Sequence, residues 1–277
     1  MAPLSLLRSR KLIRPFAVHK PATVADALAL KASRPDAVFM AGGVEIADRL
    51  KKGAHYSDVI CLTAIPELTA ISRSGGCLHI GAAVPHRIVG ADALIRRNLP
   101  GFADAVAGIG SPRIRTQGTI GGNLMSGVWH YDVLPLLIAL SARLKFASPD
   151  GSQRELAAQE CPPVGSDLLV SIAIPVDEAP RAVWFQRVDK PVMSLTAAVQ
   201  EIAGSVIARV VLASAGQPPL CGAVTFACGS AASIAEAAAR WRADLTLSDE
   251  RTSSAWYRAE LAEVRLRRML MLAGDLA

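Results

Sequence analysis

Two short segments of this chain combine residue types that could hold an anion against the main chain. One is Phe39-Met40-Ala41-Gly42-Gly43-Val44-Glu45-Ile46, and the other is Gly118-Thr119-Ile120-Gly121-Gly122-Asn123-Leu124-Met125-Ser126. Each sets two adjacent glycines just after an apolar stretch. Glycine tolerates positive φ and has no Cβ, so a ligand can come close to the backbone. Successive N–H groups exposed in such a bend make a concavity for anions. A diphosphate clasped from both sides is the ligand that two such loops suit. Neither segment spells GxGxxG or GxxxxGK[ST], the usual dinucleotide and P-loop fingerprints. A lone Gly-Gly pair is most often a tight turn, so the residues alone lead as far as an anion or nucleotide site.

Other chemistries find less support. There is no GxSxG and no convincing Ser–His–Asp order for a nucleophile. The five histidines are dispersed and no HExxH occurs, which argues against a metal site. Cys61, Cys77, Cys161, Cys221 and Cys228 are odd in number and contain no CxxC. A disulfide framework, a zinc site or an iron–sulfur cluster held by this chain is therefore not expected. Isolated thiols in a reducing cytoplasm are the plain reading.

The chain has 277 residues, 51% hydrophobic and 19% charged, enough to bury the cores of two domains. Aromatics make up only 5%, so aliphatic packing must dominate. The formal charge of +6 is scattered, as at Arg8–Lys11, Lys51–Lys52 and Arg265–Arg268. With no aromatic-studded basic stripe, a nucleic-acid partner is not expected. The basic balance equally suits an anionic cofactor or an acidic partner. Met1–Phe16 lacks the apolar centre of a signal peptide. Val133–Leu144 is interrupted by Pro135 and Arg143 and falls short of the roughly 20 residues of a membrane helix.

The elements that must position the two glycine pairs can be read from the pattern. Thr23 and Asp26 mark a helix start, with the helix running to about Ser33. Ala37–Met40 reads as a buried strand ending at Gly42-Gly43, followed by a helix over Ile46–Lys52 and a strand over Asp58–Thr63. Ala70–Arg73 and Cys77–Ala83 read as strands joined by Gly75-Gly76. Pro85–Arg97 and Gly101–Ala107 read as helices, Thr116–Asn123 as a glycine-rich loop, and Asp132–Ala142 as a helix. A hairpin over Arg143–Ser148 and Glu155–Ala157 turns at Pro149-Asp150-Gly151. The cluster Cys161-Pro162-Pro163-Val164-Gly165 reads as a linker, placing a first domain at 1–165 and a second at 166–277. The second is expected to be an antiparallel sheet with helices to one side. Its strands are Leu168–Ile174, Ala182–Val188, Ser194–Ile202 and Val206–Ala213, with a turn at Ala203-Gly204-Ser205. Its helices are Ser230–Leu245 and Ser253–Leu272.

The combination of motifs resembles the FAD-binding subunit of molybdenum hydroxylases, the family of CO dehydrogenase and xanthine dehydrogenase. The resemblance rests on Ala41-Gly42-Gly43 after an early strand, Ile109-Gly-Ser-Pro-Arg-Ile-Arg115, then Gly118-Thr-Ile-Gly-Gly-Asn123, then Asp132 and Pro135. Phe16…Pro21…Ala27, Leu62–Glu67 and Ser254–Arg258…Arg267-Arg268 extend it over nearly the whole chain. It implies an α+β fold: a two-part FAD-binding domain of the PCMH type followed by a smaller C-terminal α+β domain. It implies one non-covalent FAD, with Met40, Ala41, Gly42, Gly43, Val44, Glu45 and Ile46 wrapping the diphosphate. Thr119, Gly121, Gly122, Asn123 and Ser126 would line the second side, and Asp132 would hydrogen-bond the cofactor. Ile109 and Gly110 would lie beside its rings, and Leu169 would pack on them from the start of the C-terminal domain. It also implies an oxidoreductase complex. A large subunit would hold molybdopterin and a small one [2Fe–2S] clusters, with electrons leaving this chain for NAD, a quinone or dioxygen.

Several positions depart from the family pattern. Val44 stands where Thr or His is usual, and Thr116 where Asn is usual. Gly127–Tyr131 replaces a small polar stretch, and Gln186 stands near where a lysine is common, with Lys190 four residues on. His130 is a proton shuttle or a loop histidine. Trp129 and Tyr131 stack on a ring or anchor a subunit interface. Arg113 and Arg115 neutralise phosphate or face a partner. A stand-alone flavoenzyme and a binding module with a lapsed FAD site are the rival classes.

Overall fold

The computed structural model describes residues 13–161, 165–177, 182–189, 193–202, 205–227, 229–251 and 253–274. Arg8–Lys11, Pro162–Val164, Lys190, the turn residues Ala203-Gly204 and Cys228 lie outside them.

The chain first builds a small parallel sheet. Strands β1 (Ala17–His19), β2 (Val38–Met40) and β3 (Asp58–Cys61) lie in the order β1-β3-β2, both pairings parallel. Helix α1 (Val24–Ser33) crosses between β1 and β2, and Thr23 caps it by accepting from the Asp26 N–H at 3.0 Å. Helix α2 (Val44–Lys51) crosses between β2 and β3. Parallel neighbours need such crossovers, and so the first glycine pair comes to lie between a strand end and a helix start.

A second, antiparallel sheet follows. It has five strands in the order β4-β5-β8-β6-β7, with β4 Ile71–Ser74, β5 Cys77–Gly81, β6 Arg143–Ala147, β7 Gln153–Ala157 and β8 Leu168–Pro175. Between β5 and β6 runs a train of short helices: α3 (His86–Ala91), α4 (Ala93–Asn98), α5 (Pro100–Ala107), α6 (Pro112–Gln117), α7 (Ile120–Leu124) and α8 (Val133–Ala139). Fully buried Phe102, Leu136, Leu144, Phe146 and Ile172 belong to the core beneath them. The single helix expected over Pro85–Arg97 is two, because Asp92 leaves helical geometry and accepts from the N–H groups of Leu94 and Ile95 at 2.9 and 3.0 Å.

The third layer is a four-stranded antiparallel sheet in the order β12-β11-β10-β9, built of β9 (Ala182–Val188), β10 (Met193–Ile202), β11 (Ser205–Ser214) and β12 (Gln217–Ala227). Helices α9 (Ala231–Ala243) and α10 (Ala255–Gly274) cover one face, and the apolar side chains of β10 alternate toward them from Met193 to Val199. The α+β character expected from the sequence is what the model contains.

Two strand assignments need correction. Leu168–Ile174 does not join the C-terminal sheet. It lies between β5 and β6, with Ile172 opposite both Ile80 and Leu144. The first domain's sheet thus continues past the linker-like cluster, and a cut at 165 would remove its central strand. The second correction is β12, which the sequence reading missed. Pro218, Pro219 and Gly222 disguise it, and they are tolerated because it is an edge strand.

Candidate functional site

One cavity of about 600 Å³ opens where the three layers meet. It is lined by the β2–α2 connection, by α6, α7 and the segment after them, by the start of β8, and by Arg187, Asp189 and Met193 from the C-terminal sheet. Its volume falls in the range of small-molecule and cofactor sites, roughly 300–1,000 Å³. All sixteen residues that the resemblance points to line it: Met40 to Ile46, Ile109, Gly110, Thr119, Gly121, Gly122, Asn123, Ser126, Asp132 and Leu169.

The first glycine pair does two separate jobs. Gly42 is pressed against the second segment, since a Cβ built there would overlap the Gln117 carbonyl and come within 3.2 Å of the Gly118 nitrogen. Gly43 takes φ +72 and starts α2 without a capping side chain. A helix start leaves its first N–H groups without intrahelical partners, and the dipole adds positive potential there. Val44, Glu45 and Ile46 supply those groups at the cavity wall, which makes the missing hydroxyl at Val44 irrelevant to main-chain donation.

The second segment is not a loop. Ser111 caps α6 and Thr119 caps α7, accepting from Ile114 and Gly122 at 3.3 and 3.0 Å. Its amides are already used: Ile120 donates to Val84, Gly121 to Ala82 at 2.9 Å, and Asn123 to Thr119. In the second segment the amides of Ile120, Gly121, Gly122 and Asn123 thus have partners within the protein, whereas the first turn of α2 leaves its own for a ligand. The second supplies close-packed backbone instead. A Cβ on Gly121 would sit 2.6 Å from both the Cβ and the carbonyl oxygen of Ala82. A Cβ on Gly122 would meet only the Thr119 hydroxyl, at 2.8 Å.

The charged groups also differ in place from expectation. Arg115 donates to the carbonyls of Ile109 and Gly110 at 3.0 and 2.7 Å, so it holds their bend and is not among the cavity residues. Arg113 is not among them either. Asp132 is 2% exposed and its carboxylate pairs with Arg187, whose Nε donates to Oδ1 at 3.0 Å. That ion pair joins the start of α8 to β9. Among the described residues of the C-terminal hairpin, Arg187 is the cation that lines the cavity, and its neighbour Gln186 does not line it. Leu169 comes from β8 of the middle sheet and not from the C-terminal one. His130 and Tyr131 line the cavity, their rings edge-on at 5.6 Å, whereas Trp129 packs against the core beside a smaller cleft. Among the described residues no group of three or more His, Cys, Asp or Glu could hold a metal ion.

Sequence reasoning passed over His86. It is the first residue of α3, 2% exposed, and it lines the cavity. Its N–H donates to the Gly118 carbonyl at 2.9 Å, while its Nδ1 is buried without a partner. Pro85 before it is a helix-start signal, but nothing local marks the ring as buried. Burial lowers its pKa from 6.5 to about 4. The unfolded chain takes up this proton first on acidification, so stability is lost as pH falls from about 6.5 toward 4, by about 3 kcal/mol in all. Urea titrations across that window should show a slope that His86→Gln reduces, leaving the part due to carboxylates such as Asp58. An unchanged slope in the variant would remove His86 as its source.

Fold and cavity define an α+β protein with a cofactor-sized cavity lined by two glycine segments. Residues 14–177 match the model of the family described as FAD binding domain in molybdopterin dehydrogenase, and the chain belongs to that family, whose cofactor is FAD. The xanthine dehydrogenase FAD-binding subunit of Escherichia coli O157:H7 is 32% identical over 135 residues, 48% of this chain and 46% of that protein. The carbon monoxide dehydrogenase medium chain of Hydrogenophaga pseudoflava is 32% identical over 138 residues, 49% of this chain and 48% of that one. These alignments thus span about half the length of each relative. A chain of reconstituted CO dehydrogenase from Oligotropha carboxidovorans superimposes with a TM-score of 0.83 at 24% identity, over 96% of this chain and 100% of that one, which establishes the shared fold.

Proposed function

We propose that the cavity holds one FAD non-covalently, and that the chain serves as the electron-transfer flavoprotein of a molybdenum-dependent hydroxylase or dehydrogenase. The observation that carries the reading is the start of α2, without a side-chain cap, at the wall of a 600 Å³ cavity that Gly121 and Gly122 also line. The chain's residues fit the cofactor in charge and shape. Val44, Glu45 and Ile46 offer amides to the diphosphate, Gly42 lets the two segments close on each other, and Gly122 adds no side chain to the cavity wall. Asp132 and Arg187 offer a carboxylate and a guanidinium at the wall where the C-terminal sheet meets α8. Ile109 and Leu169 give apolar surface for rings.

Bound FAD supplies the step between single-electron and electron-pair transfer. In this reading the electrons arrive from [2Fe–2S] clusters of a partner subunit, after a molybdopterin subunit has oxidised the substrate. They leave for NAD, a quinone or dioxygen. A cytoplasmic setting suits such a complex. Among the described residues no helix is long and apolar enough to cross a membrane.

The test is the purified chain's flavin absorbance. It should survive gel filtration and bleach with dithionite; no flavin uptake after full supplementation would contradict the reading. Gly122→Val should weaken FAD binding at least tenfold, because its methyl groups enter cavity space and press on Thr119. Its cost in stability should stay near that of a lost helix cap, about 1 kcal/mol. Fluorescence titration with FAD, beside urea unfolding of the apoprotein, separates the two effects. Wild-type affinity would place the diphosphate elsewhere.

A further inference from the structure

The start of α2 and the segment after α7 are tied together across the cavity by side chains that the proposed phosphate cradle does not need. Glu45 Oε1 accepts from Arg49 Nε at 2.8 Å, and Glu45 Oε2 accepts from the Tyr131 hydroxyl at 3.2 Å. Arg49 Nη2 donates onward to the Ser126 carbonyl. Glu45, Arg49, Ser126 and Tyr131 all line the cavity. Between Ser126 and Tyr131 the chain has no helix or strand, and it bends through Gly127 at φ +73. The segment's other ties are local turns, Ser126 Oγ to the Asn123 carbonyl at 2.8 Å and the Tyr131 N–H to the Val128 carbonyl at 3.1 Å, and the packing of Trp129 on the core, none of which reaches α2. Burial and then the Glu45 carboxylate raise the Tyr131 pKa, so the phenol stays a donor at neutral pH.

We propose that Glu45, Arg49 and Tyr131 form a latch that fixes the gap between α2 and the second glycine segment and so slows release of the cofactor between them. The proposal rests on reading this cavity as the FAD site. Arginine is suited to the central position because its planar fork can reach Glu45 and the Ser126 carbonyl at once, which a lysine ammonium on a flexible stem cannot do as well. Its charge also offsets that of Glu45, an acid otherwise unfavourable beside a diphosphate. The three are positioning residues, since they act through the spacing of the two segments.

The experiment measures the rate of FAD release from the full chain by stopped-flow fluorescence, together with the thermal midpoint of each apoprotein. The proteins are wild type, Arg49→Met, Arg49→Lys, Tyr131→Phe and the Arg49→Met/Tyr131→Phe double variant. Arg49→Met should release FAD roughly tenfold faster, with a smaller acceleration in Tyr131→Phe. The double variant should fall short of the product of the two, because both hold the same segment, Ser126–Tyr131, to α2. Arg49→Lys keeps the charge and the i,i+4 pairing with Glu45 that supports α2, so its thermal midpoint should match wild type. It should nonetheless release FAD nearly as fast as Arg49→Met, because the tie to Ser126 is lost. Wild-type release rates in the variants, or full rescue of release by Arg49→Lys, would overturn the latch while leaving the FAD site standing. Failure of the wild-type chain to bind FAD would overturn both.

Discussion

Gly42→Ala should leave the chain without flavin. The added methyl cannot be accommodated by rotating a side chain, because what it meets is the main-chain carbonyl of Gln117. The two glycine segments must move apart, and the α2 amides with them. Overpacking of this kind typically costs about 1–3 kcal/mol, and a rigid backbone partner places it at the upper end. An affinity loss of the same size, about 2.7 kcal/mol, is roughly hundredfold. We therefore expect no flavin band after gel filtration and a lower urea midpoint for the apoprotein. Gly43→Ala is the informative comparison. Its Cβ would meet only the Met40 side chain, at 3.3 Å, so its penalty comes from φ +72 and should be smaller. Equal flavin content in Gly42→Ala and wild type would mean that the contact between segments is not what builds the site.

The second large effect lies away from the cavity. Arg258 is 1% exposed on α10 and donates to Glu250 Oε1 at 2.6 Å, to Ser214 Oγ at 3.0 Å and to the Ser248 carbonyl. It joins α10, the segment before it and the end of β11. Removing one member of a buried, hydrogen-bonded ion pair typically costs about 3–5 kcal/mol, since the partner charge is left uncompensated. Glu250 keeps some solvent contact, so the lower figure applies to Arg258→Ala, about 3 kcal/mol by urea unfolding. Adding Glu250→Gln should recover part of it. A loss under about 1 kcal/mol would show that water takes the arginine's place at little cost.

These two residues also mark what the sequence could and could not disclose. The glycine pairs were legible because a bend without side chains has a composition of its own, and the flanking strand and helix follow from short-range pattern. Which of their amides are already paired within the protein was not legible. Thr119 turns the second segment into a capped helix, and its amides go to Val84 and Ala82, more than thirty residues back. Pairing at that range leaves no local trace. The same holds for β8, whose run from Leu168 suits either sheet until its partners are known, and for the purely tertiary ties of Arg115 and Arg187. His86 stayed hidden for a related reason: a histidine after proline reads as a helix start, and only the packed fold shows that its ring is dry. Gly42-Gly43 and Asp132 stand in motifs, whereas the places of Arg49, His86 and Arg187 at the cavity are set by tertiary packing alone.

A crystal structure of the chain with FAD tests the central claim most directly. Diphosphate oxygens should lie about 2.7–3.2 Å from the backbone nitrogens of the first turn of α2, among Val44, Glu45 and Ile46, with Gly122 facing them. A diphosphate bound away from that helix start, or an FAD whose phosphates are held only by arginine side chains, would contradict the account.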